Sequence, residues 1–191
     1  RWLLGRGPIA INELQEQTGL SYPTVAVRLD ELGDIVERRS NRSVLLRNFP
    51  QKSWSELLIT ASRVRPSMAF EDATGRPPEF SYLLKRLARL RPDHVGISGV
   101  AGARHWQPSF DLDGMPRLDL VVHAPDGAAD LDFITRLDPA LSPTDKPYTA
   151  AIVVHVLPRP ASLFTAESDS ATVWADPVEI LLDLHELRLV E

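Results

Sequence analysis

The sequence contains no cysteine, which excludes several kinds of site. Without cysteine the chain forms no disulfide, no thiolate zinc site and no cysteine nucleophile. Proteins without disulfides are typical of reducing compartments, so we expect a cytoplasmic location. The sequence also lacks an apolar run near the roughly 20 residues that cross a bilayer, so we expect no membrane span. We identify no secretory signal, although the chain starts at Arg1 and its natural N-terminus can lie upstream.

The formal charge of −5 is unevenly distributed along the chain. Residues 1–65 hold 10 basic and 7 acidic side chains, whereas residues 66–191 hold 11 and 19. The first part therefore carries +3 and the second −8, which together make −5. This balance predicts contact with a polyanion through the N-terminal part only, although ordinary scatter gives a similar ratio.

The segment 66–78 is predicted to be a linker between two domains. It holds three prolines and a glycine, and no apolar period is visible in it. Proline donates no backbone hydrogen bond and restricts the residue before it to extended geometry. We therefore assign residues 1–65 to one domain and residues 79–191 to a second, in which predicted helices and strands alternate. The predicted elements of the second domain include strands at Leu118–His123, Ala150–Leu157 and Thr172–Trp174 and a helix at Ala128–Leu137.

The N-terminal part shows two helices followed by a hairpin. Ile11–Thr18 is predicted to be a short amphipathic helix that ends at Gly19. Ser21 is the predicted N-cap of a second helix, whose apolar residues repeat at spacings of four and three. Two strands around a turn at residues 40–42 follow this helix.

This order of elements resembles the winged helix-turn-helix of bacterial transcription regulators. The resemblance covers roughly residues 1–50 and rests on Leu14, Thr18-Gly19-Leu20-Ser21, Thr24-Val25, Leu29, Leu32-Gly33 and Ile35-Val36. A helix fits the major groove of DNA, and the residues at its N-terminus reach the base edges first. An arginine-rich hairpin beside it is suited to phosphates or to the minor groove. The predicted DNA-binding residues are Ser21, Tyr22, Pro23, Thr24 and Arg28 on the helix, and Arg38, Arg39, Asn41 and Arg42 on the hairpin.

Other interpretations of these residues stay open. Tyr22 can pack against the hairpin, and Arg28 can pair with Glu31 or Glu16 on a solvated helix face. The hairpin arginines can also protect a sheet edge from pairing with another strand. Because winged helices serve as protein-interaction modules too, such a module without DNA binding is one alternative function.

The segment 94–122 resembles the opening of the nucleotidyltransferase fold. In that family a Gly-Ser turn holds phosphate, and two acids at positions i and i+2 of the next strand bind magnesium. Here Gly99 can hold the turn, with Ser98 before it, but Val100 stands where a second small polar residue is expected. Asp119 matches one acid, but Arg117 stands in place of the other, and these two side chains are expected to pair with each other or to face a protein partner. We therefore expect a nucleotidyltransferase-like α/β fold with no catalytic residues, no metal and no cofactor.

A magnesium-dependent nucleotidyltransferase is the alternative that this segment leaves open. Asp111 and Asp113 have the required spacing, and Asp119 follows them. The sequence after Asp113 predicts a turn, so these two acids are not expected on a strand. His123 and His155 lie at the ends of predicted strands and are expected to be structural.

Most of the chain resembles the AbiEi-type antitoxins of type IV toxin–antitoxin systems. The resemblance rests on the helix-turn-helix, the Gly-Val-Ala-Gly-Ala run at 99–103 and the late helix from Pro177. It implies an α+β fold, in which the winged helix binds operator DNA and the second domain acts without catalysis. The implied partners are duplex DNA and a protein such as a toxin or regulator, with no membrane; a homodimer is left open.

Overall fold

The computed structural model describes residue 3 and residues 7–76, 78–92, 94–109, 117–158 and 173–188. These residues form a mixed α+β protein with seven α-helices and two β-sheets. The chain divides into two compact units, Arg1–Ile59 and Thr60–Glu191. Within the described residues, every helix is too short or too polar to cross a bilayer.

Unit 1 combines two helices with a small antiparallel sheet, as its sequence pattern predicts. The sheet has the order β1-β3-β2, and the third helix continues past the boundary at Ile59. The elements are β1 (Ile9–Ala10), α1 (Ile11–Thr18), α2 (Tyr22–Glu31), a 3-10 turn (Gly33–Ile35), β2 (Val36–Arg38), β3 (Ser43–Leu46) and α3 (Gln51–Val64).

The core of unit 1 follows the apolar spacing of the two helices. Leu14, Val25 and Leu29 are buried, as their spacing of three or four residues predicts. Val44 in the central strand β3 is completely buried and pairs with Ile9 of β1. One face of each helix therefore packs inward, which leaves the polar face of α1 and most of α2 exposed.

Unit 2 is built on a five-stranded sheet of order β5-β6-β8-β4-β7. The central pair β6 and β8 runs parallel, while the other pairs are antiparallel. The elements are β4 (Ser67–Asp72), α4 (Phe80–Leu90), β5 (Val95–Ile97), α5 (Gly99–Trp106), β6 (Leu118–His123), α6 (Asp132–Leu137), β7 (Leu141–Thr144), β8 (Ile152–Leu157) and α7 (Pro177–Glu186).

The predicted linker at 66–78 is wrong for half of its length. Ser67–Asp72 forms strand β4, which pairs with β8 on one side and β7 on the other. The prolines that suggested a linker are Pro66, Pro77 and Pro78, and none of them falls within Ser67–Asp72. A proline outside a strand removes no ladder hydrogen bond from it.

Three smaller differences separate the prediction from the structure. The helix predicted from residue 128 begins at Asp132. Strand β7 was not predicted, because Pro143 within it argues against a strand. The predicted strand at 172–174 is reduced to a single bridge between Trp174 and Ile97, and Thr172 lies outside the described residues.

Strands β6 and β8 form the centre of the unit 2 core. All six residues of each strand are buried. The apolar side chains of α4 and α6 cover one face of these strands. Helices α5 and α7 pack together on the other face, where Val100, Ile180 and Leu184 contact Val121. Because both faces of β6 and β8 are covered, polar side chains on these strands are buried as well.

Candidate nucleic-acid interface

The junction between α1 and α2 is fixed by two local devices. Gly19 adopts the left-handed conformation with φ 66°, and its N–H donates to the Gln15 carbonyl at 2.8 Å. Ser21 Oγ then accepts from the Thr24 N–H, which caps α2. This geometry confirms both predicted roles, and it exposes Tyr22 and Pro23 in the first turn of α2.

The turn between β2 and β3 is held by a side chain predicted to bind DNA. Asn41 Oδ1 accepts from the Ser43 N–H at 3.1 Å and from the Ser43 hydroxyl at 2.6 Å. The Asn41 amide group keeps its two donors for other partners. Arg42 follows with φ 60°, a conformation that few residues other than glycine adopt.

A groove of about 810 Å³ lies between α1, the start of α2 and the hairpin. It brings together five of the nine predicted residues, whereas Ser21, Pro23, Thr24 and Arg28 do not line it. The predicted residues in the groove are Tyr22, Arg38, Arg39, Asn41 and Arg42. Donors therefore dominate this wall, which suits an anionic ligand.

The opposite wall of the groove contains polar residues that sequence reasoning missed. Asn12 and Gln15 on α1 line it. They are three positions apart, so they share one helix face. This spacing was a usable signal, because two amides on one helix face beside a predicted recognition helix are placed to make hydrogen bonds.

Ion pairs hold several of the arginines in this unit. Arg28 donates to Glu31 at 2.8 Å, which agrees with one of the alternatives left open by the sequence. Glu37 accepts from Arg39 at 3.1 Å and from Arg47 at 3.3 Å, and Arg38 pairs with Asp30. Within the part of the chain that the structure describes, Arg42 makes no ion pair.

These pairs also shift the protonation equilibria of Glu37 and Arg28. Hydrogen bonds from Arg47 and Arg39 hold the pKa of the Glu37 carboxyl below its ordinary value. The hydrogen bond to Glu31 raises the pKa of Arg28. The Glu37 carboxylate is therefore ionised near neutral pH and offsets part of the positive charge on this face.

Unit 2 contains a buried charge cluster that the sequence did not predict. At its centre, Asp183 accepts from the Ser98 hydroxyl and, at 3.2 Å, from the Gly99 N–H. The Arg65 guanidinium also pairs with Asp183, and its Nε lies 2.8 Å from Glu179 Oε2. The members of the cluster are Arg65, Ser98, Arg117, Asp119, His155, Glu179 and Asp183.

The Arg117–Asp119 pair lies at the edge of this cluster. Arg117 Nε donates to Asp119 Oδ1 at 2.7 Å, as their same-side position on the strand predicts. Asp119 is 1% exposed, and a Cβ placed on Gly99 would lie 2.2 Å from its Oδ2. The turn at Ser98-Gly99 and the Asp119 carboxyl are therefore in direct contact.

Burial shifts two protonation equilibria in the cluster. Burial and the neighbouring Asp183 raise the pKa of Asp119 to about 8, although Arg117 acts in the opposite direction. Burial also lowers the pKa of His155, even though Asp183 lies 3.2 Å from its Nε2. Asp119 is therefore mainly protonated at neutral pH, and His155 is neutral.

The alternative metal site is only partly within the described residues. Asp111 and Asp113 lie outside them, so the structure places Asp119 alone of the three acids. In the described ranges, no group of three or more His, Asp or Glu side chains is arranged to hold a metal ion. His123 and His155 are both buried, in line with a structural role.

The missed cluster had a weak signal in the sequence. Glu179 and Asp183 are four residues apart in the apolar helix α7, which places both on one face. A helix that is apolar all round is buried, so its charged residues need partners. Arg65 gave no such signal, because it stood next to the predicted linker.

The comparisons with known proteins return no relative. No family model, no curated protein and no solved structure matches this sequence.

Proposed function

We propose that unit 1 is a winged helix-turn-helix that binds duplex DNA, and that the chain is a non-enzymatic transcriptional regulator of the antitoxin-repressor type. The observation that carries this proposal is the groove between the helices and the hairpin. Tyr22, Arg38, Arg39, Asn41 and Arg42 line one groove, although they come from separate segments. Arginine and amide donors around an open groove match the chemistry of a phosphodiester backbone.

In this proposal α2 enters the major groove of DNA. Its exposed N-terminal turn presents Tyr22 and Pro23, and Arg28 lies further along the helix with its side chain 68% exposed. The hairpin then follows the phosphate backbone, led by Arg42 at its turn. Residues at the start of a recognition helix read bases, whereas hairpin cations fix its position.

The cluster in unit 2 supports the non-enzymatic part of the proposal. Two-carboxylate magnesium sites need acids that are open to the ion and its substrate. Asp119 is buried against Gly99 and paired with Arg117. The Asp183 carboxylate lies at the N-terminus of α5, where a bound phosphate would otherwise accept from the same donors. We assign unit 2 to contact with a protein partner.

The experiment is a binding titration of the full chain against fragmented genomic DNA at several salt concentrations. Neutralisation of about five phosphates predicts a log–log slope of roughly −4 to −5. Arg42→Ala should weaken binding to all sequences equally and make the slope shallower by about one unit. Arg28→Ala should instead change the preference among sequences, because its position is on the recognition helix.

A matched control is available in unit 2. Arg89 is an exposed arginine at the end of α4, and Arg89→Ala removes the same charge from a surface outside the proposed interface. It should leave the affinity unchanged. Absence of duplex binding by the wild-type chain at low salt would refute the proposal. If Arg42→Ala and Arg89→Ala lower the affinity for DNA equally, the interface does not lie where the proposal places it.

A further inference from the structure

The proposed DNA-binding face carries its own competing anions. Three carboxylates, those of Asp30, Glu31 and Glu37, pair with its arginines. Four of the five arginines in residues 21–47 have such a partner, and Arg42 is the exception within this range. The face therefore presents far less free positive charge than its arginine content suggests.

Glu37 is the centre of this arrangement. Its two carboxylate oxygens accept from different arginines, Oε1 from Arg39 and Oε2 from Arg47. Its side chain is 29% exposed, the least of the three acids, and the same contacts lower its pKa. One carboxylate thus restrains two cations, one of which lines the groove.

The pairs are weak enough to exchange with a ligand. The Arg39 and Arg47 side chains are 44% and 62% exposed, so water screens both contacts. Exposed ion pairs contribute little to stability, because solvent competes for each partner. A phosphate oxygen offers an arginine the same geometry as a carboxylate. DNA can therefore replace Glu37 at Arg39 and Arg47, but its binding loses the free energy of the pairs it breaks.

We propose that Glu37, together with Asp30 and Glu31, is an intramolecular competitor for phosphate that lowers affinity for DNA of arbitrary sequence. This inference rests on the proposed function. Phosphate contacts are common to all sequences, so weakening them lowers the affinity for every duplex by a similar factor. Sites that add base contacts keep enough affinity to be bound, whereas arbitrary sequences do not. Glu37 thus sets the affinity of the whole face for DNA and need not touch DNA itself.

Glu37→Gln and Asp34→Asn form the matched pair that tests this inference. Asp34 is an exposed acid three residues before Glu37, in the 3-10 turn, and has no arginine partner within the described residues. Both variants remove one negative charge while preserving side-chain size. We expect Glu37→Gln to bind a random-sequence duplex about fivefold more tightly at low salt. Asp34→Asn should change the affinity by less than about twofold.

The titration distinguishes failure of this inference from failure of the proposed function. If the wild-type chain binds duplex and both variants gain affinity equally, net charge explains the effect and the competition is refuted. If neither the wild-type chain nor Glu37→Gln binds duplex DNA at low salt, the DNA-binding proposal is refuted, and this inference is refuted as well.

An NMR titration of the Glu37 carboxyl supplies a second readout, which does not depend on affinity. In the free chain its pKa should lie below the ordinary value, because two arginines donate to it. In the complex with duplex the arginines move to phosphates, so the pKa should rise by a measurable amount. An unchanged pKa in the saturated complex would show that the pairs persist and would overturn the inference.

Discussion

Replacing Asp119 by asparagine tests the ionisation of the buried charge cluster. The pKa of Asp119 rises from an ordinary 3.8 to about 8 in the folded chain, so the folded state keeps a proton that the unfolded state loses. This contribution to stability is complete below pH 3.8 and is lost as the pH rises through about 8. Asparagine resembles the protonated carboxyl and does not titrate.

His155 defines the pH window in which Asp119 can be measured alone. Burial lowers the pKa of His155, so the folded chain keeps this side chain neutral where the unfolded chain protonates it. Its contribution to the free energy of unfolding therefore falls only as the pH drops below the ordinary value of 6.5. Between pH 6.5 and pH 8 the Asp119 contribution therefore dominates. At about 1.4 kcal/mol per pH unit, the wild-type chain should lose about 2 kcal/mol of unfolding free energy across this window.

The assay is urea unfolding of both chains, followed by the NMR signals of β6 and β8 so that unit 2 is observed separately. We expect the stability of Asp119→Asn to be constant from pH 6.5 to pH 8 while that of the wild-type chain declines. The reasoning is refuted if the wild-type chain is constant and the variant loses about 3–5 kcal/mol throughout. That result would mean an ionised Asp119, whose removal leaves the Arg117 cation buried without its partner.

Two further predictions concern the same region. Gly99→Ala should destabilise unit 2 by about 3 kcal/mol or more, because its Cβ would lie 2.2 Å from Asp119 Oδ2 and its φ is +56°. Gly127→Ala, at φ +74° with open space around it, should cost only about 1 kcal/mol, and equal losses in urea unfolding would contradict the packing argument. Incubation of the chain with labelled nucleotides, magnesium or manganese, and RNA or protein acceptors should yield no product, since Asp119 is buried and paired with Arg117. Label transfer that Asp119→Ala abolishes would establish the enzyme alternative.

Local signals in the sequence predicted most of the elements correctly. The bounds of Ile11–Thr18 and Leu118–His123 agree with the structure at every residue. In the first, a glycine in the left-handed conformation ends the helix; in the second, an unbroken apolar run is typical of a buried strand. Strands β4 and β7 escaped prediction because prolines lie beside the first and within the second, while the pairing that forms both strands joins residues distant in the sequence.

The candidate sites were predicted less completely, for the same reason. The arginines of the hairpin are visible in the sequence, but the pairing of Arg38 with Asp30 depends on how α2 and the hairpin meet. The pairing of Arg47 with Glu37 depends on the register of the two hairpin strands. The contact between Arg65 and Asp183 joins residues 118 positions apart. Periodicity identifies buried faces, but it cannot show which distant side chains meet there.

The strand order of unit 2 also sets the sequence of events during synthesis. Strand β4 is made early, yet its neighbours β7 and β8 emerge about 70 to 80 residues later. The charged residues of α7 emerge later still, so Arg65 and Ser98 have no Asp183 until then. Unit 1 ends at Ile59, so it can fold before the residues of unit 2 have been synthesised. Strand β6 follows its neighbour β5 and lacks only β8 when it is made. Strand β4 lacks both of its sheet neighbours while about 70 further residues are added, and this is the interval in which a chaperone would be needed.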